Sequence, residues 1–170
     1  MSGIQGVVTD SSQLPSDEEL YCPELKLTSV PLYAGARHFA KYCYAQNNEF
    51  WLCRKEERDP RKCLKEGKIL SLCALEYFDK VKESCPNQFK KLYKCIDWKS
   101  SRKDFTGCKK EELSFDYCMY NKLGLLRFEP GYMCRPHIHK PTREKPEIYK
   151  GRTYPDDYLK EYPQEFNKTK

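Results

Sequence analysis

Eight cysteines in four evenly spaced pairs constrain this chain more than any other feature. Cys43/Cys53, Cys63/Cys73, Cys85/Cys95 and Cys108/Cys118 each enclose nine residues. A step of ten positions is seven plus three, so both members of a pair fall on the a and d positions of one helix seam. At ~1.5 Å rise per residue their sulfurs lie about 15 Å apart. Disulfide partners need Cα atoms within about 7 Å, and zinc holds its sulfurs at about 2.3 Å. Members of a pair can therefore neither bond each other nor share one metal. They need a second helix with matching spacing.

The following segment supplies it. An antiparallel helical hairpin sets inner cysteine against inner and outer against outer. The predicted bridges are Cys53–Cys63 and Cys43–Cys73 in a first hairpin, then Cys95–Cys108 and Cys85–Cys118 in a second. The third pair trails the first by 42 positions and the fourth trails the second by 45, which is an internal duplication with a longer second turn. The expected fold is all-α: two disulfide-stapled hairpins, 35–84 and 85–124, between extended, irregular arms over 1–34 and 125–170.

Periodicity agrees with helices. Leu32, Ala36, Phe39, Ala40 and Cys43 share helical spacing, followed by Phe50 and Cys53; Cys63, Leu70, Cys73 and Tyr77 fit an a/d seam, with Val81 beyond. Asp59-Pro60 marks the first turn and Ser100-Ser101 lies in the second. Pro86 suits the first turn of a helix, whose face continues through Phe89, Leu92, Cys95 and Ile96. Phe115, Cys118 and Met119 line the fourth helix, and Gly124 reads as its stop. Phe50, Tyr77, Phe89 and Phe115 each sit one turn from a cysteine and are expected to pack over the disulfides. Recognition of one of these aromatics by an oxidising import machinery is the sharper alternative.

Composition explains why staples are needed. Of 170 residues, 39% are hydrophobic and 33% charged, with a mean hydropathy of −0.87, which is poor material for one large core. Ten cysteines in such a chain imply an oxidising compartment or a metal. Residues 1–20 show neither the basic n-region nor the apolar h-region of a secretory signal, and residues 1–34 carry five acids against one base, unlike a matrix transit peptide. No apolar run approaches the length of a membrane span. Oxidation without secretion makes the mitochondrial intermembrane space the leading expectation. The formal charge of +6 could suggest nucleic acid, but the bases alternate with acids, as in Arg54-Lys55-Glu56-Glu57-Arg58-Asp59. A solvated helix surface with no nucleic-acid partner is the better reading.

At these residues the chain resembles the twin-CX9C (coiled-coil-helix-coiled-coil-helix) proteins of the mitochondrial intermembrane space. Its two consecutive units, with Phe50–Lys68 around the first turn and the segments Cys73-Ala74-Leu75, Cys95-Ile96-Asp97 and Lys122-Leu123-Gly124, are similar to the double-unit branch that serves respiratory complex I. The resemblance covers about residues 25–126. It implies import through the disulfide-relay oxidoreductase and a peripheral position on the intermembrane-space side of the inner membrane. It also implies other complex I subunits as partners, a non-catalytic supernumerary role without cofactor, and the eight cysteines as the functional residues. The alternatives are a soluble assembly factor or chaperone of the same fold and, less favoured, a copper chaperone. Against the last, and against a thiol oxidoreductase, the chain has no Cys-Cys or CxxC pair.

Several residues lie outside that frame. Cys22 and Cys134 could form a fifth bridge, stay free, or face a partner. Cys134, His137 and His139 are clustered soft-metal ligands, but their segment is Pro-rich and lacks a fourth ligand. His38 has no recognisable catalytic context and reads as a helix-surface or interface residue. Residues 127–170 hold six prolines and seven aromatics. Tyr149, Tyr154, Tyr158, Tyr162 and Phe166 suggest an arm that orders against neighbouring subunits. The Leu25–Val30 stretch is expected to dock in the same way.

Overall fold

The computed structural model describes residues 14–57, 59–99 and 104–143. Every regular element among them is helical: α1 (Asp17–Leu20), α2 (Ser29–Tyr42), α3 (Tyr44–Glu57), α4 (Leu64–Ser84), α5 (Pro86–Lys99) and α6 (Lys109–Leu123), with 3-10 turns at Pro60–Cys63 and Tyr132–Cys134. α3 packs antiparallel on α4, and α5 on α6. The result is a tandem of helical hairpins.

Local chemistry places each boundary. Asp59 accepts from the Arg61 amide and precedes Pro60, so the first turn is pinned by an N-cap and a ring-fixed φ together. Between α4 and α5 the break falls on Cys85, because a residue before proline is pushed out of the helical region. Gly124 ends α6 with φ 62°, a left-handed cap that costs glycine nothing. In α1, Ser16 and Glu19 form a reciprocal capping box.

The core is not shared evenly. It gathers Ala34 of α2, Tyr77, Phe78 and Val81 from the end of α4, and Cys85, Phe89, Leu92, Cys95, Ile96, Phe105, Cys108, Phe115, Cys118 and Met119 from the second hairpin. On α3, Cys53 is the one buried residue. The first hairpin is thus held mainly by its bridges, while the second wraps its own bridges in apolar side chains.

Two expectations change here. The Leu32–Cys43 face does not run straight into the first hairpin. The chain bends at Cys43 (φ −100°, ψ 30°), and α2 packs chiefly on α5 of the second. α2 also begins at Ser29, inside the segment assigned to the arm. Leu25, Leu27 and Val30, which the sequence places in a docking arm, lie half-buried against the molecule's own core.

Candidate functional site

The four bridges form the frame on which every other side chain is placed. Cys43–Cys73 joins the α2–α3 bend to α4 and Cys53–Cys63 joins α3 to the turn leading α4, with Cα atoms 6.1 and 5.9 Å apart; Cys85–Cys118 and Cys95–Cys108 join the second hairpin at 6.1 and 5.9 Å. All four spacings lie inside the range that a relaxed bridge demands. The remaining two thiols are not joined. Cys22 is half-buried in a cleft with Leu20, Phe50 and Leu64, whereas Cys134 is exposed beside Ala36, Arg127 and Phe128. Neither thiol is bonded in this structure, and the two line different clefts.

Of the aromatics flanking cysteines, Tyr77, Phe89 and Phe115 are buried in the core. Phe89 meets Phe115 at 5.5 Å between ring centres, and Tyr77 meets Phe39, Tyr42 and Phe78. The Tyr77 hydroxyl donates to the Gly35 carbonyl at 2.9 Å, and burial pushes its pKa up. Phe50 is half-buried, lying over Gly67.

α2, α6 and the segment after α6 are fastened together by an ionic clasp around the buried Glu112 that the sequence reading missed. Glu112, only 3% exposed, accepts from both Arg37 and Arg127. Arg127 also reaches Asp116 at 3.1 Å, and Arg37 lies 4.0 Å over the Phe105 ring. His38, 2% exposed, has Nε2 3.4 Å from Asp116 Oδ1 but not in hydrogen-bond geometry. Burial, then the charge of Arg127, holds its pKa down at about 4, against the opposing pull of Glu112. Asp116 moves the other way, raised first by burial. His38 is therefore neutral and internal, not at the surface. Alternation of Arg37-His38 with apolar neighbours gave no signal for this, because the partners lie far along the chain.

The segment after α6 folds back along α2 and α3. Phe128, Tyr132 and His137 stack in series at 4.1 and 4.0 Å, Tyr44 meets Phe128 edge-on, and Lys41 sits 4.6 Å above Phe128. His137 Nε2 donates to the Tyr132 carbonyl, while His139 Nε2 pairs with Glu49 at 2.6 Å. Cys134, His137 and His139 are thus dispersed among other partners. Among the described residues the one metal-capable cluster is Cys95, Cys108 and Glu111, and both of its sulfurs are consumed in a disulfide.

Among the described residues, two outward faces belong to the second hairpin. On α6, Leu113, Tyr117 and Tyr120 project at helical spacing. On α5, lysines and Trp98 do so. Tyr149, Tyr154, Tyr158, Tyr162 and Phe166 lie outside the described residues. No helix among those described is long and apolar enough to cross a membrane.

No protein-family model matches the chain. Among characterised proteins it is 28% identical over 128 residues to the NADH-ubiquinone oxidoreductase 20.8 kDa subunit of Neurospora crassa, spanning 74% of this chain and 68% of that one. It is 29% identical over 89 residues to the NADH dehydrogenase (ubiquinone) 1 alpha subcomplex subunit 8-A of Arabidopsis thaliana, and 28% identical to subunit 8-B over the same length. Those matches cover 52% of this chain and 81% and 82% of the plant proteins. The four bridges fit the twin-CX9C pattern.

Proposed function

We propose that this chain, homologous to subunits of the respiratory NADH:ubiquinone oxidoreductase and built on two stapled hairpins, is an accessory subunit of complex I. The observation that carries this reading is the likeness to the Neurospora crassa subunit over most of both chains. Its contribution is steric and interfacial. Prefixed geometry lowers the ordering cost of binding. The protein sits at the inner membrane, peripherally and on the intermembrane-space side, where an oxidising environment sustains four bridges. Entry through the disulfide relay belongs to the same reading.

Leu113, Tyr117 and Tyr120 on α6 supply anchors for a neighbouring subunit, since tyrosines are favoured at interface centres. The arm bearing Tyr149, Tyr154, Tyr158, Tyr162 and Phe166 lies along neighbouring subunits in the same proposal. Native gel electrophoresis of detergent-solubilised inner membranes tests it. The chain should co-migrate with mature complex I, and deletion of residues 140–170 should reduce that fraction. Recovery only as a free soluble species, or only with partly assembled complex, would identify an assembly factor instead.

A further inference from the structure

We propose that the outward face of α5 docks on an anionic phospholipid surface. Lys90, Lys94 and Trp98 follow one another at steps of four residues along α5, with Lys91 beside them and Lys99 at the helix end. All five are exposed, and Trp98 has 85% of its surface open. Asp97 is the one acid on this face. Across the open cleft above the Cys95–Cys108 bridge, Glu111 is paired with Lys99 at 3.7 Å. The opposite side of α5 is fully committed to the core through Phe89, Leu92, Cys95 and Ile96. The lysine face therefore cannot turn inward.

Residue type selects the occupant. A protein interface tends to exclude lysine from its centre and to use arginine where it needs a cation. A membrane surface does the reverse: lysines are drawn to it by diffuse negative potential, and tryptophan settles at the headgroup level with its ring in and its N–H wet. Each lysine near such a surface strengthens partitioning roughly fivefold. The long methylene stems add apolar contact while keeping the charge in water. Lysine without arginine, ending in an open tryptophan, matches a lipid headgroup layer better than an acidic protein. The contrasting α6 face, apolar and tyrosine-rich, is suited to protein.

This deepens the peripheral placement proposed above, and its test does not require complex I. The full oxidised chain is sedimented with vesicles of phosphatidylcholine alone, or with about a third of phosphatidylglycerol or cardiolipin added. Binding is expected to the anionic vesicles only, and to fall steeply when salt is raised from 0.1 to 0.5 M. The Lys90→Gln/Lys91→Gln/Lys94→Gln variant should bind at least about tenfold more weakly. Trp98→Ala should weaken binding without removing the salt dependence. These positions are exposed, so both variants should keep wild-type helicity and melting. Equal binding to neutral and anionic vesicles, wild-type binding by the lysine variant, or no vesicle binding at all would overturn the proposal. If vesicles are ignored while the lysine variant is lost from complex I on the native gel, the face meets acidic protein and subunit membership stands.

Discussion

At the scale of single residues, two glycines in similar helical settings should respond differently to the same change. A Cβ built on Gly35 would meet Phe78 Cε1 at 2.6 Å and Cζ at 3.0 Å, and Phe78 is locked in the core beside Tyr77 and Phe89. The Gly35 carbonyl also receives the Tyr77 hydroxyl. Alanine gains up to about 1 kcal/mol of helix propensity, but forcing a buried ring aside costs about 1–3 kcal/mol. Gly35→Ala should therefore lower stability to urea. At Gly67 the nearest atom is Phe50 Cε2 at 3.3 Å, on a half-buried ring that can shift, so Gly67→Ala should be close to neutral. A Gly35→Ala midpoint at or above wild type would mean that the aromatic cluster repacks freely. The sequence gives no hint of this difference, because it depends on which ring crosses which helix.

At the scale of elements, the bridges and helix limits were legible and the placement of α2 was not. Nine-residue gaps, Asp59-Pro60, Pro86 and Gly124 act locally, so spacing and backbone chemistry suffice to find α3 through α6. α2 has an apolar face that would suit either hairpin, and only the turn at Cys43 decides that it crosses to α5. The same uneven sharing of the core yields a prediction. Cys85, Cys95, Cys108 and Cys118 belong to the main apolar cluster, whereas the first hairpin's cysteines do not. On the chain-entropy model an outer bridge closing 30 residues outweighs an inner one closing 10 by about 1 kcal/mol. What remains after a bridge is lost, however, depends on packing. Graded reduction should release amide protection in α3 and the start of α4 before α5 and α6, as followed by hydrogen exchange with mass spectrometry. Simultaneous loss across both hairpins would mean that the bridges alone hold each one.

At the scale of the whole molecule, the clasp of Arg37, Glu112, Arg127, Asp116 and His38 joins α2 to a stretch 75 residues further along the chain, which is why local patterning does not show it. It should make stability depend on pH. His38 titrates near 6.5 when unfolded but at about 4 when folded. Between those values the unfolded chain binds the extra proton, so stability falls on acidification, by at most about 3 kcal/mol, and the slope ends below the folded value. Asp116 is raised in the folded state and so opposes the loss at the acid end of the window. Urea midpoints should drop from pH 7 to pH 5, with a shallower drop for His38→Gln; parallel profiles for the two proteins would place the titration elsewhere. The bend at Cys43 has a consequence in time. Its sulfur is tied to Cys73 at the point where α2 departs, so closing that one ring tethers α2 within reach of α5 and raises its local concentration there. Oxidation in one hairpin should thereby favour covering of the other, and reducing that bridge alone should loosen α2 from α5.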